Sequence, residues 1–118
     1  MMDTRYVIGI DYGTDSCRAL IVDASDGKEL ATSVLHYPRW QQHLYCDAAS
    51  NQYRQHPLDY TETLIAVVND AMGQLSVDIK DKVVGISFAM TCCTPCLTDE
   101  KGTPLALLDE YTHTPNAM

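Results

Sequence analysis

The chain has 118 residues, 46% of them hydrophobic and 20% charged, with a formal net charge of −8. That length suits one soluble globular unit burying roughly two thirds of the surface its unfolded chain exposes. An acidic balance of 16 Asp and Glu against 8 Lys and Arg argues against nucleic acid as a partner, and no apolar run approaches the ~20 residues that span a bilayer. The start, from Met1 to Arg5, lacks a basic stretch leading into an apolar one, so secretion is not expected. Five cysteines, with Cys92, Cys93 and Cys96 crowded together, make a poor disulfide framework. They suit a reducing, cytoplasmic setting.

In chain order, residues 5–11 form a short β-branched run that stops at Asp11-Tyr12-Gly13-Thr14. A second run covers 17–23 and ends at Ser25-Asp26-Gly27, a strong hairpin signal. A third, 28–37, alternates Leu30, Thr32, Val34 and His36 with Ala31, Ser33, Leu35 and Tyr37, and Pro38 ends it. These three runs predict an antiparallel meander. Residues 39–55 are polar and aromatic without a period, and read as an ordered loop. Pro57 suits the first turn of a helix. Tyr60, Leu64, Val67, Val68, Ala71, Met72 and Leu75 then mark one helical face, over ~19 residues. After a polar linker at 76–82, the apolar run 83–89 predicts a buried strand, parallel to its predecessor because a helix supplies the crossover. Residues 97–108, with Asp99-Glu100-Lys101-Gly102 in the middle, predict one more hairpin. The order β-β-β-α-β plus a hairpin is α/β with a mixed sheet, distinct from a doubly wound sheet.

The stretch from Ile8 to Arg18 bears the most chemistry. It reads as a strand ending in Asp11, a turn with Gly13, Thr14 and Ser16, and a strand opening with Arg18. Glycine permits positive φ and close approach of backbone N–H groups to an anion. The two hydroxyls can donate hydrogen bonds, and the guanidinium offers a charged fork to phosphate oxygens. Asp11 would repel phosphate directly, and makes sense with a Mg²⁺ ion and its water between them. The alternative is an ordinary hairpin in which Asp11 and Ser16 cap the turn.

Asp-x-Gly-Thr-x-Ser-x-Arg between two strands resembles the first phosphate loop of the superfamily of sugar kinases, hexokinase, Hsp70 and actin. In that superfamily the loop follows the first strand of a ribonuclease H-like domain. Residues 37–41 (Tyr-Pro-Arg-Trp-Gln), 44–48 and 51–60, together with Thr91, Cys93-Thr94-Pro95 and residues 114–118, narrow the likeness. They resemble the N-terminal region of the FGGY carbohydrate kinases, in the branch that acts on L-ribulose, across essentially the whole chain.

The resemblance implies ATP-dependent phosphorylation of the terminal hydroxyl of L-ribulose in L-arabinose breakdown, with ATP and Mg²⁺ as cofactors. It assigns Asp11 to orienting Mg²⁺ through water, and Gly13, Thr14 and Ser16 to holding the β/γ-phosphates. Arg18 would stabilise charge on the transferring group, and the segment with Cys92, Cys93 and Thr94 would line the sugar pocket. Family members are longer two-domain chains. Residues 1–118 are therefore expected to be the N-terminal part of the first kinase domain, without the catalytic base and without activity alone. Truncation would also expose apolar surface and favour a homodimer. One departure stands out: where the family pattern places an aspartate, this chain has Ala89.

Two other readings compete. The chain could be a non-catalytic folding or oligomerising module. Alternatively, Cys93-Thr94-Pro95-Cys96 could be a redox pair, which would require a helix after the strand to lower the first thiol's pKa; residues 97–102 instead read as strand and turn. Zinc is not expected, because the cysteines lack two-pair spacing. His36, His43, His56 and His113 read as structural or solvated, and Trp40 as an anchor for its loop.

Overall fold

A computed structural model of the chain describes residues 3–92 and 94–118. Strands β1 (Tyr6–Tyr12), β2 (Ser16–Asp23) and β3 (Glu29–His36) form the predicted antiparallel meander. Short side chains shape the turn before β3. Asp23 accepts hydrogen bonds from the Ser25 amide at 2.8 Å and its hydroxyl at 2.6 Å, and Asp26 accepts from the Lys28 amide at 2.9 Å. Gly27 completes the turn with a φ of +76°, where a β-carbon would be strained.

Residues 39–55 hold more structure than an aperiodic sequence reveals. They include most of a four-residue helix, α1 (Pro38–Gln41), and a miniature hairpin of β4 (Cys46–Asp47) with β5 (Gln52–Tyr53). Elements this short leave no period to detect. His43, Tyr45 and Asn51 adopt positive φ to turn the chain between them.

Helix α2 (Pro57–Gly73) starts where proline predicts. His56 caps it, its Nδ1 accepting from the Leu58 amide at 3.1 Å, so the ring must be neutral there. Burial first, and then the Arg39 charge, lower the His56 pKa from its usual 6.5. The unfolded chain therefore binds more protons than the folded one just below that value, and stability falls as pH drops through it. A His56→Asn variant keeps a cap acceptor that does not titrate. Thermal melts between about pH 7 and about pH 5.5 should show the wild type losing more of its midpoint than the variant. Equal losses would remove His56 from the acid response.

The buried line of α2 is Asp59, Thr63, Val67 and Ala71. The apolar face expected from spacing is thus rotated at its N-terminal half, where Tyr60 and Leu64 are only partly buried. Polar groups can sit there because they are satisfied: the Thr63 hydroxyl donates to the Asp59 carbonyl at 2.5 Å, and the Asp59 carboxylate accepts from α1. Beneath α2 lie Ile8, Ile10, Tyr12, Cys17, Ala19, Ile21 and Ala31. The small Ala19, Ala31 and Ala71 side chains let the helix settle closely on β2 and β3.

The polar linker contains a short helix, α3 (Val77–Lys80), and leads into β6 (Val83–Met90). The main sheet has the order β3-β2-β1-β6, with β6 parallel to β1. The expected parallel direction relative to the preceding strand of this sheet, β3, holds, but β6 does not lie beside it. β6 runs in the same direction as β3, but the inner edge of β3 is taken by β2, so the crossover delivers β6 to the free edge of β1. The expectation of a buried strand is also corrected, since no residue of β6 is buried. Ile86, Phe88 and Met90 pair with Ile8, Ile10 and Tyr12 and so share the helix-covered face. Because α2 lies over β2 and β3 and stops short of β6, these three remain 48–62% exposed. The radius of gyration, 17.1 Å, exceeds the roughly 13 Å of a compact domain this long, as a one-sided, partly covered sheet requires.

The last predicted hairpin shrinks to one bridge, Thr98 with Pro104, followed by a 3₁₀ turn at Leu105–Leu107. Pro104 has no N–H with which to extend a ladder. Asp99 tightens the connection by accepting from the Lys101 and Thr103 amides, each at 2.9 Å.

Candidate phosphate and sugar site

The turn from β1 to β2 is held from behind by its carbonyls. Tyr12 C=O accepts from the Thr91 amide at 3.2 Å, and Asp15 C=O from the Tyr37 amide at 2.9 Å. Gly13 C=O accepts from the Tyr37 hydroxyl at 2.8 Å, and Thr14 C=O from Gln55 Nε2 at 2.5 Å. The Gly13 amide closes the turn on the Ser16 carbonyl at 2.8 Å. The Thr14 and Asp15 amides meet no acceptor among the described residues. A turn with its carbonyls engaged and consecutive N–H groups unpaired has the polarity that an anion needs.

Gly13 plays a different part from the one expected. Among the described glycines, Gly27 and Gly102 have positive φ, and Gly13 does not. Its constraint is space, since a β-carbon there would stand 3.3 Å from the Ser16 carbonyl oxygen.

Asp11 and Arg18 are direct partners across β1 and β2, so they project from the same side of the sheet. Both are exposed on the face away from α2. The register extends the row to Val34 on β3 and Ala89 on β6. The ion pairs among the described residues lie elsewhere, at Asp15 with His36 (3.9 Å) and at Arg39 with Asp59 and Glu62 (both 2.9 Å). Neither Asp11 nor Arg18 is engaged in one. The position where an aspartate was expected from family resemblance therefore stands directly opposite Asp11, and alanine leaves that carboxylate without a neighbour of its own kind.

A trio of tyrosines supports the loop from inside. Tyr12 and Tyr60 rings lie 5.0 Å apart, and Tyr37 and Tyr60 5.3 Å apart. Burial pushes the Tyr12 pKa up to about 12 and that of Tyr37 higher. Both phenols therefore stay protonated as donors, Tyr12 to the Tyr60 carbonyl at 3.0 Å and Tyr37 to Gly13.

Because β1 and β6 run parallel and in register up to Tyr12 and Met90, the chain after β6 emerges beside the β1–β2 turn. Carboxyl ends of neighbouring strands are where α/β sheets hold ligands. A cavity of about 310 Å³ opens here, lined in part by Gln55, Tyr60, Met90, Thr91, Thr94 and Cys96. Of the residues expected to line a sugar pocket, Thr94 lines this cavity, with its hydroxyl 3.1 Å from that of Thr91. Cys92 is exposed and outside the lining, and Cys93 lies outside the described residues. Gln55 and Tyr60 were missed as site residues. Tyr60 fits the helical period and looks like core, while Gln55 sits in an aperiodic stretch. The segment after Cys96 forms the Thr98 bridge, which leaves the redox reading without its helix.

No group of three or more His, Cys, Asp or Glu side chains among the described residues could form a metal cage. A lone exposed carboxylate fits Mg²⁺ all the same, since that ion keeps several waters and takes one or two carboxylates plus substrate phosphates. No helix of the described residues is long and apolar enough to cross a membrane.

No family model matches the chain. It is 46% identical over 97% of its length to the ribulokinase of Vibrio parahaemolyticus, and 40% identical over 98% to that of Halalkalibacterium halodurans. It spans about a fifth of the length of these relatives, 20% and 21% respectively. Among solved structures, a gluconate kinase from Lactobacillus acidophilus superposes with a TM-score of 0.58 over 75% of this chain and 16% of its own, at 20% identity. That likeness shows the fold, a mixed sheet of the actin and hexokinase type, as the resemblance implied. The chain is a homologue of one stretch of the ribulokinases.

Proposed function

We propose that this chain is the first phosphate-binding part of a carbohydrate kinase that transfers phosphate from ATP to the terminal hydroxyl of L-ribulose, as in L-arabinose breakdown. The observation behind this reading is the polarised turn between Tyr12 and Ser16, flanked by unpaired Asp11 and Arg18. Homology to ribulokinases supports the sugar class. The Thr14 and Asp15 amides, with the Thr14 and Ser16 hydroxyls, hold β/γ-phosphate oxygens on a turn whose close backbone approach to Ser16 needs Gly13. Asp11 holds Mg²⁺ through its waters, and the bound ion supplies neutralisation of phosphate charge. Arg18 offers its fork to the transferring group. Transfer of this kind rests on positioning and electrostatics, and Thr94 borders the sugar. Residues 1–118 form part of the first domain in this reading. Purified residues 1–118 are expected to phosphorylate no sugar by themselves.

Calorimetry of the chain with MgATP tests the site. Weak binding is expected, lost on Asp11→Ala and weakened about ten- to a hundredfold on Arg18→Ala, as for charge-assisted hydrogen bonds. Binding that ignores both substitutions would place the nucleotide elsewhere and overturn the reading.

A second reading, an associating module without catalysis, is favoured by the exposed Ile86, Phe88 and Met90 on an edge strand. Such a strand is a template for pairing with another copy. Sedimentation velocity should then show concentration-dependent association that Ile86→Lys with Phe88→Lys removes. A monomer at all concentrations would sink it.

A further inference from the structure

Gln55 connects two parts of the site that the sequence keeps well apart. Its Nε2 donates to the Thr14 carbonyl at 2.5 Å, and its Oε1 accepts from the Tyr60 hydroxyl. The amide's orientation is forced, since a backbone carbonyl can only accept. Tyr60 in turn lines the cavity together with Thr91 and Thr94, whose hydroxyls lie 3.1 Å from each other. A continuous polar chain thus runs from the cavity wall through Tyr60 and Gln55 to the carbonyl whose peptide unit ends in the unpaired Asp15 amide.

We propose that Gln55 is a positioning residue coupling the cavity at Thr91 and Thr94 to the phosphate loop. This rests on reading the Tyr12–Ser16 turn as an anion site. A donor on the Thr14 carbonyl fixes the tilt of the Thr14–Asp15 peptide and polarises its N–H toward a phosphate, because hydrogen bonds in a chain strengthen one another. A ligand that enters the cavity beside Thr91 and Thr94 and engages the Tyr60 hydroxyl re-aims it, and Gln55 passes the change to the loop. Occupancy of the sugar side then alters affinity on the phosphate side, without direct contact between the ligands.

The test compares backbone amide resonances of the free chain and its MgATP affinity in three variants. Gln55→Glu keeps the acceptor for Tyr60 and removes the donor to Thr14. Tyr60→Phe keeps Gln55 and cuts the chain on the cavity side. Gln74→Glu is the control, because Gln74 Nε2 makes the same kind of contact, 2.8 Å from the Thr32 carbonyl, away from the loop. Gln55→Glu and Tyr60→Phe should both shift the Thr14 and Asp15 amide resonances while Gln74→Glu leaves them in place. Gln55→Glu should weaken MgATP by up to about tenfold, the scale of one hydrogen bond. Unmoved Thr14 and Asp15 resonances in Gln55→Glu would overturn the coupling. If that variant does not fold, unmoved resonances in Tyr60→Phe decide the same question. Shifted resonances in a chain that binds no MgATP would uphold the coupling and reject the phosphate-site reading, so the two failures are distinguishable.

Discussion

Asp59→Ala is expected to destabilise the chain by about 3–5 kcal/mol, the scale for removing one partner of a buried ion pair. The Asp59 side chain is 1% exposed and takes three hydrogen bonds from α1: Arg39 Nη1 at 2.9 Å, the Arg39 amide at 3.3 Å and the Trp40 amide at 3.2 Å. Those amides belong to the first turn of α1, where helix N–H groups lack intrahelical partners. Tyr37, at the N-cap position, offers no side-chain acceptor, so a carboxylate from α2 caps α1 from outside. Alanine would strand both amides and leave the partly buried Arg39 guanidinium with Glu62 as its one remaining partner among the described residues. Domains hold only about 5–15 kcal/mol in total, so the variant should be close to unfolding. Urea denaturation followed by circular dichroism measures this, and a loss under about 1 kcal/mol would show that water replaces the carboxylate readily. Glu62 offers the contrast. Arg39 holds its carboxyl below the usual range, yet its side chain is 49% exposed, and exposed pairs contribute less than about 1 kcal/mol.

Tyr37→Ala should cost about 3–5 kcal/mol by leaving a cavity at a large core position. Tyr37 is fully buried. Tyr37→Phe separates packing from hydrogen bonding, because it keeps the ring and strands only the Gly13 carbonyl, at a cost of about 1–3 kcal/mol. In the phenylalanine variant the loop should remain but lose its anchor, so hydrogen exchange at the Gly13 and Tyr37 amides, which bond the Ser16 and Asp15 carbonyls of the turn, should accelerate while core amides of β1 and β2 stay protected. Uniform acceleration across the sheet would mean that the hydroxyl supports the whole fold and not the loop in particular.

Strands β1 to β3 and helix α2 were legible in the chain because local rules govern them. Period-two runs are punctuated by Asp26-Gly27 and Pro38, and Pro57 precedes a three-and-four spacing of apolar residues. The Asp11 to Arg18 turn was legible for the same reason, since its residue types sit close together in sequence. Other features depend on distant partners. The burial of Asp59 follows from α1 docking on α2. The exposure of β6 follows from where α2 comes to rest, although its sequence reads as core.

The site divides in the same way. The sequence by itself determined the carboxylate, hydroxyls and guanidinium of the proposed phosphate loop, and the strand that leads into it, because each is written within one hairpin. Only the tertiary structure decided that Thr14 leans on Gln55, Gly13 on Tyr37 and Tyr12 on Thr91. Those contacts join residues 24 to 79 positions apart, and such pairings exist only after the chain has paid the loop-closure entropy that packing repays.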